Sequence, residues 1–209
     1  MPRLGFTGSF FAVWVGWIGP FCYLESAATP PDAREILKQG TIEAGVGGGF
    51  WHAFHVPGET HPVDRHAWFI MPRIGMVMTD EVQAGFFSGN LELLLEPFYA
   101  YFTEPFSADA AGGAVVMKYN LLSFGRWMPF WDAGVGMLWT DLAPRIPEDS
   151  SQFNFYLETG PGVHYFITTR TAVTLAVRYN HISNAGIGDR NLGLDGVLGY
   201  VGLSWFLPK

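Results

Sequence analysis

Strict alternation of apolar and polar residues is the feature that most limits what this chain can become. Leu91, Leu93, Leu95, Tyr99 and Tyr101 fall on one parity and Glu92, Glu96 and Ala100 on the other. Val115, Met117, Tyr119 and Leu121 alternate with Lys118 and Asn120. Trp131, Ala133, Val135, Met137 and Trp139 oppose Asp132, and Phe153, Phe155, Leu157 and Val163 oppose Asn154 and Glu158. A period of two belongs to a β-strand, whose successive side chains point to opposite faces. Turn-rich clusters separate such runs. They predict eight strands at about residues 41–54, 67–78, 90–102, 112–122, 128–140, 152–166, 171–183 and 194–206. Before the first, Asp32–Gln39 reads as a helical turn or a linker.

Alternation alone fits two architectures. A soluble sandwich points its apolar face inward. A small membrane barrel points it at lipid and fills its interior with polar groups. Composition bears on the choice: the chain is 49% hydrophobic and only 15% charged, where soluble domains carry about 25% charge. The runs are long enough to cross a bilayer when tilted. Their even number gives an interior that side chains can fill. Trp51, Trp68, Trp127, Trp139 and Trp205 sit near strand ends, as an aromatic girdle requires. The expected fold class is therefore all-β, an eight-stranded antiparallel transmembrane β-barrel. A net charge of −7 argues against a nucleic-acid partner.

At the N-terminus, Arg3 precedes an uncharged run from Leu4 to Leu24, and small residues follow at Ser26-Ala27-Ala28. Residues 1–28 read as a secretory signal peptide, with residues 29–209 forming a single barrel domain. The alternative is an uncleaved anchor; Pro20 and the small-residue site favour cleavage. Cys22, the one cysteine, permits no internal disulfide, and Gly19-Pro20-Phe21 before it is a poor lipidation context. The loops after the first, third, fifth and seventh strands read as mostly the longer ones, and 79–89 is the exception among the turns. Bacterial outer-membrane barrels have long extracellular loops and short periplasmic turns. A periplasmic N-terminus then puts the last hairpin at the extracellular end.

That last hairpin holds the candidate chemistry. His181 and Ser183 are two apart in one strand and so share a face. If the chain reverses about Gly188, Asp195 lies directly across from His181, with Cβ atoms about 4.5–5.5 Å apart. A nucleophile, a base and a group to orient the base would then be together. Val173, Leu175, Val177 and Tyr179 share the face of His181 and Ser183, and Val197, Val201, Leu203 and Trp205 that of Asp195. The trio continues the lipid-facing stripe, so its substrate would be a lipid ester. The plainer alternative is a set of solvated polar groups on a barrel rim.

His181-x-Ser183-Asn184, then Asn191-x-Gly193 and an acid twelve residues after the serine, resembles the lipid A 3-O-deacylase (PagL) family of outer membranes. The similarity runs densely from Tyr179 to Phe206 and more weakly over Thr79–Glu96, where Gly89-Asn90-Leu91-Glu92 leads into Leu94-Leu95-Glu96-Pro97. The resemblance implies an eight-stranded barrel with a Ser–His–acid triad on its lipid side, acting on lipid A of lipopolysaccharide without cofactor or metal. Ser183 matches the nucleophile, His181 the general base and Asp195 the acid. Asn191 and the backbone N–H of Gly186 match oxyanion-hole positions, and Asn184 a supporting one. Two departures stand out. The acid is aspartate where the family uses glutamate, and Phe206 is followed by Leu207-Pro208-Lys209 rather than ending the chain. A non-catalytic outer-membrane barrel with a structural or lipid-binding role, and a soluble lipid-binding barrel, are the competing functions.

Other clusters carry less. His52, His55, His61 and His66 match no tetrahedral metal spacing. Gly45-Val46-Gly47-Gly48-Gly49 lacks the Lys-Ser/Thr of a phosphate loop and fits a closely packed, curved strand. Glu43, Glu92, Glu96, Asp132 and Glu158 with Arg73, Lys118 and Arg178 are expected to form one interior network, since unpaired charges away from water are costly.

Overall fold

The strands close on themselves. In the computed structural model, which describes residues 31–54, 64–143 and 145–208, the order is α1 (Ala33–Ile36), β1 (Ile42–Ala53), β2 (His66–Val77), β3 (Gly89–Glu104), β4 (Ala108–Leu121), β5 (Trp127–Thr140), β6 (Phe153–Phe166), β7 (Thr171–Ser183) and β8 (Leu194–Leu207). Every strand pairs antiparallel with its sequence neighbour, and β1 pairs with β8. No edge is left, as a sheet in lipid requires. The residues read as a signal peptide, with Cys22, and His55 and His61 lie outside the described residues.

One connection departs from expectation. The loop after β3 shrinks to residues 105–107, because Tyr101↔Asp109 and Phe102↔Ala108 extend the ladder. The sequence pattern predicts a short loop there, at 103–109. The stretch Ala108–Gly113 gives no apolar contrast in sequence because its inward positions are small. They leave room for the large rings of β3: a Cβ on Gly112 would lie 2.8 Å from Phe98 Cζ.

Leu93, Val115, Val135, Leu157 and Val177 face outward, while Glu92, Lys118, Asp132 and Arg178 are buried inside. Trp68, Trp127, Trp139 and Trp205 are exposed on the outer surface. Trp51 is the correction: it points inward, is 0% exposed and packs edge-on to Phe102. A Cβ on Gly196 would meet its indole at 2.3 Å, so the facing strand supplies no side chain there. The glycines around Trp51 in β1 erase the alternation that would have fixed its face.

The interior is layered. Trp51, Phe69, Phe98, Phe102, Phe130 and Tyr156 belong to one apolar cluster, of which Trp51 and Phe102 lie toward the end that carries the β7–β8 loop. At the opposite end α1 closes the mouth, with Ala33, Ile36 and Leu37 packed among Val77, Met128, Phe166 and Phe206. Asp32 caps this short helix, accepting from the Arg34 N–H at 2.9 Å. Charges fill the middle. Lys118 pairs with Glu43 and, at 2.9 Å, with Glu92. Arg178 meets Asp132 at 2.7 Å and Glu158 at 2.9 Å, and both it and Arg73 pair with Glu96. His164 joins this layer without having been foreseen. Its Nε2 lies 3.3 Å from Lys118 Nζ, which can only donate, so Nδ1 carries the proton toward Thr174 Oγ1 at 2.9 Å.

Candidate active site

β7 delivers His181 and Ser183 to the outer face at its last turn of pleat, and β8 begins by presenting Asp195. The register pairs His181 with Asp195, and His181 Nδ1 lies 2.8 Å from Asp195 Oδ1. A carboxylate accepts, so Nδ1 carries the proton and Nε2 is left as the basic nitrogen. The side chains are 31% and 13% exposed, respectively. Ser183 shares the face, but its hydroxyl makes no hydrogen bond to His181 or to any other described residue. Ser183 and His181 thus share a face without being joined, as candidate catalytic pairs often do before substrate arrives. On β6, Phe155 lies opposite Ser183 and Leu157 opposite His181, so an apolar wall borders the pair.

Gly193 is built against His181. Its φ is +80°, a left-handed conformation that glycine adopts without strain. A Cβ there would lie 2.7 Å from His181 Cε1, so only hydrogen lets the imidazole sit where it does.

The β7–β8 loop (184–193) is organised around Asn184, which alternation turns inward and buries completely. Its Oδ1 accepts from the Gly186 N–H at 2.9 Å, and its backbone N–H donates to Asn191 Oδ1 at 2.9 Å. Its Nδ2 donates to Asp149 Oδ1 and to the Arg190 carbonyl, each at 2.7 Å. Asn184 is therefore the hub of the loop, a role that spacing did not reveal. The Gly186 N–H already has an acceptor, whereas Asn191 Nδ2 has none among the described residues. Ala185, between Asn184 and Gly186, adopts a φ of +52°, strained for a residue with a Cβ.

A second loop braces the first. In the β5–β6 connection (141–152), Asp149 and Asn191 form an isolated bridge. The Leu192 N–H donates to the Glu148 carbonyl at 2.8 Å and the Arg190 N–H to Ser150 Oγ at 3.0 Å. Glu148 is in turn buried and paired with Arg65 at 2.6 Å. Sequence reading missed Asp149, because nothing in an isolated loop carboxylate marks its partner 35 residues away. It also gave no role to Tyr179, whose hydroxyl donates to Asp195 Oδ1; its place two residues before His181 on the same face was the available signal. Elsewhere on the rim, His52 and His66 are cross-strand neighbours with ring centroids 4.8 Å apart, and no third ligand joins them among the described residues.

The sequence profile described as Lipid A 3-O-deacylase (PagL) matches residues 58–204, more than half of the chain and all of the hairpin stretch just described. The chain belongs to that family. The fold agrees with a crystal structure of the outer membrane enzyme PagL, at 20% identity and a TM-score of 0.52, over 80% of this chain and 99% of the other. Similarity extends to the Pseudomonas aeruginosa outer membrane protein OprG, at 16% identity and a TM-score of 0.47, over 83% of this chain and 98% of that one. Neisserial surface protein A is similar at 15% identity and a TM-score of 0.49, over 80% and 99%. No curated protein sequence matches significantly. Membership of the PagL family makes the chain one of the lipid A deacylases.

Proposed function

We propose that this chain is an outer-membrane carboxylic ester hydrolase that removes an ester-linked acyl chain from lipid A, using Ser183 as nucleophile, His181 as general base and Asp195 as the orienting acid. The observation that carries this reading is the His181–Asp195 hydrogen bond on the outer surface, with Ser183 beside it on the same face. Ser183 Oγ attacks the acyl carbonyl while His181 Nε2 takes its proton. The tetrahedral oxyanion is met by Asn191 Nδ2, the unengaged donor, and by the Gly186 N–H once it turns from Asn184 Oδ1. His181 returns the proton to the departing sugar oxygen, leaving the acyl chain on Ser183. Water, deprotonated by the same nitrogen, releases the fatty acid. Asp195 holds the tautomer and balances the imidazolium. The lipid-facing setting admits an acyl chain without first extracting it from the leaflet. Residues 1–28 are proposed to be removed on export.

The test is Ser183→Ala. A half-exposed rim hydroxyl adds little to packing, so the barrel folds, while turnover falls by about 10⁴-fold or more. Mass spectrometry of lipid A from cells expressing each form reads the lost acyl chain. Retained deacylation in the variant removes Ser183 as nucleophile, whereas lipid A left intact by the parent chain itself returns the protein to a binding or structural role.

A further inference from the structure

The acid of the proposed triad has a second donor. Tyr179 sits opposite Val197, one pleat short of the His181–Asp195 pair. Its phenol reaches diagonally across the ladder and donates to Asp195 Oδ1, the oxygen that also accepts from His181 Nδ1. Diagonal neighbours in an antiparallel pair are about 7–8 Å apart, within range of a ring with a polar tip. The ring is itself placed: Phe54 packs against it with centroids 6.0 Å apart, and the Phe54 N–H donates to the Asp195 carbonyl at 3.0 Å.

Resting on the triad reading, we propose that Tyr179 is a positioning residue for that acid: its phenol, seated by Phe54, locks Asp195 Oδ1 onto His181 Nδ1. Three features carry this. Asp195 has one methylene and two side-chain dihedrals, so a single donor leaves its carboxylate free to pivot about the shared oxygen. A second donor from the diagonal direction removes that freedom. The stripe that carries the acid is apolar on both strands, with Val177 and Val201 exposed toward lipid. A carboxylate there is costly unless its charge is met by donors, and a phenol supplies one without adding a charge. An outward tyrosine near a bilayer surface would otherwise aim its hydroxyl at headgroups; this one turns sideways instead.

The sheet contains its own control. Tyr99 sits opposite Ala111 and its hydroxyl donates to Asp109, which faces Tyr101. The diagonal geometry is the same, but no histidine faces that acid. A tyrosine–aspartate pair on this surface is thus not catalytic by itself. The shared oxygen with His181 is what sets Tyr179 apart.

The test uses the full chain purified into detergent micelles, with lipid A in mixed micelles as substrate and released fatty acid as readout. Tyr179→Phe keeps the ring and its packing and removes only the donor. Its kcat is expected to fall on the order of tenfold with KM unchanged, while Tyr99→Phe stays within about twofold of the parent. In an Asp195→Ala background, where no carboxylate remains to be placed, Tyr179→Phe should cost nothing further. The non-additivity separates action through the acid from a general loss of packing. Full turnover in Tyr179→Phe beside an inactive Ser183→Ala overturns the role of Tyr179 and leaves the triad intact. An equal loss in both backgrounds overturns it too. Turnover in Ser183→Ala overturns the triad and the tyrosine's role with it.

Discussion

Gly193 shows how closely the candidate base is fitted. The hydrogen it carries faces His181 Cε1, and a methyl group there would lie 2.7 Å from that carbon. Gly193→Ala must therefore push the imidazole away from Ser183, and it also strains a backbone at φ +80°. The expected result is a kcat on lipid A lower by about 100-fold, with a stability loss of about 1–2 kcal/mol. Turnover at the parent rate would mean that the ring moves without consequence. The face shared by His181 and Ser183 was readable from parity, whereas the pairing of His181 with Asp195 rested on a reversal about Gly188 assumed in order to bring the three groups together, and the ladder has that pairing. The fit of Gly193 was not readable, because a glycine in a turn looks alike whether it relieves strain or makes space for a neighbour.

Among the elements, the β7–β8 loop is held less by its own residues than by the β5–β6 connection. Asp149 Oδ1 accepts from Asn184 Nδ2 and from the Ser151 N–H, and Asp149 is itself buried. Asp149→Ala takes the acceptor from the Ser151 N–H and one of the two acceptors from Asn184 Nδ2, at about 1–3 kcal/mol for a buried group. The amide of Asn184 then keeps the Arg190 carbonyl and the Gly186 N–H, and its hold on the loop weakens. Activity on lipid A is expected to fall at least tenfold while the barrel keeps its strand content by circular dichroism; an unchanged rate would show that the brace is dispensable. Strand positions were legible where apolar and polar residues contrast, as in β5 and β7. They blurred where inward positions are glycine or alanine, which is why β4 begins earlier than the pattern suggested and why Trp51 was placed outside. Contacts between loops have no period at all, so the brace left no trace in sequence.

At the scale of the whole barrel, the buried charges set the terms. Lys118 stands between Glu43 and Glu92, all three fully buried. Lys118→Met leaves two carboxylates facing each other without their ammonium, and removing one partner of a buried set costs about 3–5 kcal/mol. The temperature at which the folded band gives way to the unfolded one in a gel-mobility assay should drop clearly; no shift would mean that another cation compensates. The charged layer itself was foreseeable, since the polar parity of every strand had to point somewhere dry. The plug formed by α1 was not, because four helical residues carry no periodicity.

The outward placement of His181, Ser183 and Asp195 has a kinetic consequence. A site that opens sideways into a leaflet meets its substrate by lateral diffusion within a two-dimensional film. Bulk concentration then ceases to be the governing variable. If lipid A is diluted with inert detergent at constant total lipid A, the rate should fall with its mole fraction in the micelle. Raising enzyme-accessible volume at a fixed mole fraction should leave the rate unchanged. A rate that follows bulk molarity instead would point to capture from water and to a different entrance. For a cell, surface kinetics of this kind couple turnover to how crowded the leaflet is with lipid A.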